Sequence, residues 1–143
     1  LVGRLTKKAE YFGDKEALEQ ILSAKDPAHM KAFGRQVRGF DAKVWDEVKF
    51  GVVLNASYLK FSQNAPLRDF LLSTGSKVLV EASPVDKIWG IGMSADDENA
   101  HNLMKWRGQN LLGFALMRAR DEIAKVYKNV HLRDARELNL DHL

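Results

Sequence analysis

Cysteine is absent from the 143-residue chain. That excludes disulfides and any thiolate-held metal or iron–sulfur centre. Histidine is sparse: His29, His101, His131 and His142 stand far apart, without a ligand spacing such as H-x-x-x-H, so no metal site is expected. Long apolar runs are missing, so no segment is expected to span a membrane, and no secretory leader is visible. An excess of one charge is missing too: 22 basic residues face 19 acidic ones, a net charge of +3. The two signs are interspersed as on solvated helix faces. This balance suits a phosphorylated ligand but does not mark a nucleic-acid-coating protein. With no cysteine to oxidise, the expected compartment is the cytoplasm. The general catalytic signatures are absent as well: there is no P-loop, no G-x-S-x-G, no H-E-x-x-H and no complete G-x-G-x-x-G.

What is present is a helical chain with one unusual loop. Its length fits one domain, and a 45% hydrophobic content is enough for a core. Residues 1–12 read as the end of a helix whose beginning is missing, stopped at Gly13. Asp14 caps a helix over 15–24 with Leu18, Ile21 and Leu22 on its buried side. Asp26 and Pro27 start another that runs to about Gln36. Gly34, late in that helix, permits another segment to come close, and Arg35 beside it could grip a phosphate or carboxylate or simply sit on the surface. The longest helix runs from about Val44 to Gln63, with Trp45, Val48, Val52, Ala56 and Leu59 at steps of three and four. On spacing alone, Trp45 is a core anchor. Asn64 and Pro66 open a short helix with Leu67, Phe70 and Leu71 inward, ended by Gly75. Lys77 to Ala82 read as the one strand. The last long helix starts at Gln109 or Asn110 and reaches about Lys128, leaving a polar helix or tail over 129–143.

The stretch from Lys77 to Gly113 stands out. After the apolar run it presents Asp86, Trp89, Gly90 and Gly92 within seven residues, then a polar loop, then Trp106, Gly108 and Asn110. Long ordered loops in compact domains are usually functional. A carboxylate, a flat aromatic, glycine-freed backbone N–H groups and an amide at a helix start are the parts needed to hold a planar base and a sugar phosphate. The bland alternative is a surface linker with its tryptophans folded back onto the core.

The motifs resemble those of the NADAR domain, the YbiA-like family of N-glycosidases. They are FGRQVRGFD from Phe33, WDEVKF from Trp45, KFSQN from Lys60, LRDFLLSTG from Leu67, VEASPVDKIWGIG from Val80 and WRGQNLLGFALM from Trp106. They cover roughly residues 8–123 in the family's order and spacing. The resemblance implies hydrolysis of N-glycosidic bonds to ribose phosphate. The implied substrates are the ribosylaminopyrimidine phosphate intermediates of riboflavin biosynthesis or, in other members, ADP-ribosyl linkages, including those on nucleic acid. It implies that Trp45 is an active-site tryptophan and that Asp86 is the acidic residue before the Trp-Gly pair. Arg35, Trp89, Gly90 and Asn110 match further motif positions. The family's glutamate, in a Ser-x-Glu-His-Tyr segment, falls where Leu1 stands, so the native N-terminal portion is expected to be missing or replaced.

The expected fold is therefore α+β, mainly α, with a small sheet. A NADAR/YbiA-like domain, N-terminally incomplete, spans 1–128, followed by the 129–143 tail. The expected function is an N-glycosidase with Asp86 and Trp45 as catalytic residues and Arg35, Trp89, Gly90, Gly92 and Asn110 binding substrate. No cofactor is required. The ligand would be a phosphorylated ribosyl-pyrimidine or an ADP-ribose-type molecule, with ADP-ribosylated nucleic acid a further partner. The alternative is a catalytically impaired module that only binds ADP-ribose or a nucleotide.

Overall fold

The structure is a computed structural model that describes the backbone of residues 2–140 and the side chains of residues 3–128. It has six α-helices among these residues: α1 (Val2–Tyr11), α2 (Lys15–Ser23), α3 (Pro27–Arg35), α4 (Ala42–Ser62), α5 (Ala65–Ser73) and α6 (Leu111–Leu140), with a 3-10 turn at Leu103–Lys105. The chain divides into two compact units, residues 1–56 and 57–143, with the boundary inside α4.

In the first unit α1, α2 and α3 pack on one another. Their core is Ala9, Ala17, Ile21 and Val37, with Leu5, Phe12, Leu18 and Phe33 against it. The punctuation follows the sequence. Gly13 takes φ +70°, and the N–H groups of Phe12 and Gly13 close onto the carbonyls of Lys8 and Glu10, so α1 ends where a left-handed residue is available. The carboxylates of Asp14 and Asp26 accept from the N–H of Ala17 and His29, 3.0 and 2.9 Å away, which satisfies helix-start donors that otherwise lack a partner. Gly34 is required by packing: a Cβ there would lie 2.6 Å from a methyl of Leu5, so α1 sits directly on the α3 backbone. Leu22, read from its spacing as inward, is 63% exposed. With Ala17 and Ile21 taking the buried stripe, a nine-residue helix turns its neighbour outward.

In the second unit α5 packs on α6. Asn64 caps α5 through the Leu67 N–H, and Gly75 follows its end at φ +59°. Leu71, Ala115, Ala119, Ile123, Ile91 and Met93 are buried, whereas Phe70 is 71% exposed rather than inward. The backbone of residues 129–140 continues α6.

The expected small sheet is the main correction. Among the described residues no strand forms, and Lys77 to Ala82 run without ladder pairing. The reason lies in what satisfies that segment. The Asn110 side chain donates from Nδ2 to the Leu79 carbonyl at 3.0 Å and accepts from the Glu81 N–H at 3.0 Å. One amide side chain thus makes the donor–acceptor pair that a neighbouring strand's peptide would make. The Lys77 carbonyl is held in turn by Arg120 of α6.

Candidate functional site

Asp86, Trp89, Gly90, Gly92 and Asn110 come together in the second unit, in two loops that brace each other. Arg107 donates to the Ile91 carbonyl, Gln109 to Lys87 and Asn110 to Gly90, each at 2.9 Å, while Leu111 and Leu112 donate to Ile88 and Trp89 at 3.2 Å. The sequence separates the two strips by a polar loop; the fold lays them side by side.

The glycines make that approach possible. At Gly90 a Cβ would stand 2.8 Å from the carbonyl oxygens of Asp86 and Glu81. At Gly92, where φ is +70°, it would stand 3.0 Å from the Arg107 carbonyl carbon. At Gly108 it would press on the Gly90 carbonyl and lie 2.9 Å from the Gly92 nitrogen. At Gly113 it would strike the Leu79 carbonyl and the Asn110 amide. Gly90 and Gly92 are buried and shape the loop from beneath.

Asp86 is half-buried. Its Oδ1 accepts from the N–H of Ile88 at 3.1 Å and of Trp89 at 2.8 Å, and its own N–H donates to Ser83 Oγ at 3.2 Å. The carboxylate therefore folds the turn that carries Trp89 while keeping its negative charge at a fixed place. Asn110 is fully buried, with φ +53°. Its amide is committed to Leu79 and Glu81, so it holds the loops in position rather than presenting that amide at a surface. Trp106, in the facing loop, donates from Nε1 to the Ala100 carbonyl at 2.8 Å and closes the polar stretch between the two motifs.

Arg35 and Trp45 belong to the first unit. Arg35 is exposed at the last position of α3. Trp45 is half-buried in the first turn of α4, where the Asp41 carboxylate accepts from the Lys43 and Val44 N–H groups. Its ring lies 6.2 Å from both Tyr11 and Phe12, and Phe12 meets Phe40 edge-on at 5.3 Å. Tyr11 and Phe40 are 47% and 40% exposed, so this aromatic group is partly open to solvent instead of closed as a core anchor would be.

One residue here went unread from the sequence. The Lys8 ammonium lies 4.1 Å over the Phe40 ring and donates to the Gly34 carbonyl at 2.8 Å. Desolvation by burial holds its pKa below the ordinary 10.5. The available signal was its place one turn before Phe12 on the aromatic face of α1. In the same unit, Asp14 accepts from the Arg38 backbone N–H at 2.8 Å and from its guanidinium at 3.2 Å. These bonds, with that from Ala17, hold the Asp14 pKa down at about 2. They serve the α2 start and a small polar depression of about 200 Å³ beside it.

A larger, apolar cavity of about 320 Å³ lies in the second unit between Phe61, Phe70, Leu79, Leu112 and Leu116. Among the described residues no cluster of histidine and carboxylate side chains could hold a metal ion, and no helix is long and apolar enough to cross a membrane.

The NADAR domain model matches residues 5–124. N-glycosidase R617 of Acanthamoeba polyphaga mimivirus is 45% identical over 118 residues, 82% of this chain and 69% of that protein. The chloroplastic riboflavin biosynthesis protein PYRR of Zea mays is 36% identical over 113 residues, 76% of this chain but only 16% of that protein. The NMR structure of the E. coli protein YbiA superposes with a TM-score of 0.66 at 30% identity, covering 87% of this chain and 68% of that one. The helices, the braced loops and these likenesses agree: the chain belongs to the NADAR domain family and has the YbiA-like fold, and its relatives include N-glycosidases.

Proposed function

We propose that this chain is a hydrolase of N-glycosidic bonds, acting on a ribosylaminopyrimidine phosphate of the kind made in riboflavin synthesis. Related ADP-ribosyl linkages, on small molecules or on nucleic acid, are the neighbouring substrate class. The observation that carries the reading is the braced loop pair, in which two backbone N–H groups fix the Asp86 charge beside Trp89. The name of the mimivirus relative, an N-glycosidase, supports the reaction class, and that of the maize relative, a riboflavin biosynthesis protein, supports an intermediate of that synthesis as substrate.

In such a reaction the C1–N bond breaks with its electron pair going to the base, leaving an oxocarbenium-like sugar. Water then attacks C1 and gives up one proton, which reaches the departing nitrogen directly or by way of solvent, so the products are ribose phosphate and the free base with its N–H restored. Asp86 offsets the positive charge that develops on the sugar ring. Trp89, on the turn that Asp86 folds, supplies a flat aromatic surface for the base or the cation. In the first unit, taken by itself, Trp45 offers an aromatic surface and Arg35 a bidentate grip suited to phosphate. A cytoplasmic location fits this substrate.

The test is release of ribose 5-phosphate from a ribosylaminopyrimidine phosphate, run beside an ADP-ribosylated guanosine. Asp86→Asn is expected to lower turnover on the order of 10²-fold while leaving the circular dichroism spectrum unchanged. Full activity in Asp86→Asn would remove this carboxylate from the mechanism. Tight nucleotide binding without turnover of either substrate would leave a binding module instead.

A further inference from the structure

We infer that Asn110 is a positioning residue that acts through Asp86. It is the hub at which the extended segment 77–82, the Asp86–Gly92 loop and the start of α6 are tied together. This rests on the reading of Asp86 as the charge-bearing carboxylate.

Three demands meet at position 110. The backbone sits at φ +53°, where asparagine, aspartate and glycine are the tolerated residues. The side chain must donate to the Leu79 carbonyl and accept from the Glu81 N–H at once, which needs a carboxamide. The group is wholly buried and lies directly against Gly113, where an added Cβ would strike it. Glutamine fails on backbone and length, aspartate lacks the donor and glycine has no side chain. Only asparagine satisfies all three.

The tie to Asp86 is short and continuous. Asn110 donates its own N–H to the Gly90 carbonyl at 2.9 Å. The Glu81 carbonyl, next to the N–H that Asn110 holds, accepts from Ile91 at 3.0 Å and from Ser83 at 3.0 Å. Ser83 Oγ in turn accepts from the Asp86 N–H at 3.2 Å. Both ends of the turn that presents Asp86 therefore trace back to one buried residue, the Gly90 end through its backbone N–H and the Ser83 end through its carboxamide. Its carbonyl also accepts the first bond of α6, from Phe114. Because the carboxamide serves the segment beside it, it does not cap its own helix. Buried polar groups left half-satisfied are costly, so a change here propagates along the chain of bonds.

A double-mutant cycle separates positioning from direct contact and from general damage. Asn110→Asp keeps the shape, the tolerated backbone angle and the acceptor for Glu81; it replaces the donor to Leu79 by an oxygen and adds a buried carboxyl group. On the unchanged background it is expected to lower kcat about ten-fold or more, with KM little altered. On the Asp86→Asn background it is expected to add almost nothing. Equal losses on both backgrounds, or a loss confined to KM, would overturn the inference.

Amide hydrogen exchange supplies a readout free of substrate. In the unaltered chain the Asn110 Nδ2 protons and the Glu81 N–H should be among the slowly exchanging sites, and in Asn110→Asp the N–H groups of Ile88 and Trp89 should exchange about ten-fold faster. Those of α2 should be unchanged. Fast exchange at Asn110 and Glu81 in the unaltered chain refutes the inference even where Asn110→Asp fails to fold. If the unaltered chain turns over no substrate, the glycosidase reading fails on its own, and the exchange rates at Ile88 and Trp89 still decide the positioning role.

Discussion

Gly108→Ala tests the braced loops most directly. A methyl at this position would press on the Gly90 carbonyl oxygen and stand 2.9 Å from both the Gly92 nitrogen and the Ile91 carbonyl carbon. Ordinary contact begins near 3.4 Å. All three obstructing atoms are backbone, so no side chain can swing away. The loop must move, and it is tied by the Arg107-to-Ile91 and Asn110-to-Gly90 hydrogen bonds, both 2.9 Å long. Overpacking of this kind costs roughly 1–3 kcal/mol, and each loosened bond adds about 0.5–1.5 kcal/mol. Restricting the unfolded chain returns about 0.4–1 kcal/mol. The net expectation is a loss of roughly 1–5 kcal/mol, centred on about 3. With urea slopes of about 1–3 kcal/mol per molar, the midpoint should fall by about 1 M or more. Gly51→Ala is the matched control. It lies within α4, and a Cβ there meets nothing within 4 Å, so helix propensity should raise stability by up to about 1 kcal/mol. Urea titration followed by far-ultraviolet circular dichroism measures both. A Gly108→Ala midpoint at or above that of the unaltered chain would refute the close loop packing. Equal losses in the two variants would show that glycine replacement as such, and not contact, is being measured.

Acid should act through Asp14. Its pKa is depressed from 3.8 to about 2, so its contribution is complete above the unfolded value and is lost as pH falls through about 2. Asp14→Ala should lower the melting temperature at pH 7 and flatten the acid limb between pH 4 and 2, and an unchanged acid limb would contradict the Arg38 and Ala17 bonds. Arg120→Met should destabilise by roughly 1–3 kcal/mol, because the buried guanidinium donates to Thr74 Oγ1 at 2.9 Å and to the Lys77 carbonyl at 2.8 Å. That loss is moderated because the variant also removes a buried Nε without a hydrogen-bond partner among the described residues, and a more stable variant would show that this burial outweighs the two bonds. Lys8 should lose its proton below the 10.5 of an unperturbed lysine; NMR titration of its Cε signals reads this directly, and an ordinary midpoint would contradict its burial.

The helices and most of their ends were legible in the sequence, because they depend on neighbours in the chain. Asp14, Asp26 and Asn64 cap helices from three residues away, and Gly13 and Gly75 stop them through their own φ. Apolar spacing marked Ile21 and Leu71 for burial, and both are buried. It misplaced Leu22, Leu59 and Phe70, which are exposed, since a period of 3.6 gives a stripe's direction but not its width. The motif residues around Asp86 and Asn110 were also visible, as types and spacings. Their arrangement was not. That Gly90 and Gly108 exist for one another, that Asp86 binds its own turn, and that Asn110 stands in for a strand across 29 and 31 positions depend on bonds between segments distant in sequence. Lys77 to Ala82 show the difference. Their alternation is that of a strand, but a strand is defined by its partner, and here the tertiary structure supplies a side-chain amide and an arginine where local pattern called for a second strand. Local sequence set which backbone groups would need partners; only the folded chain could decide which atoms met them.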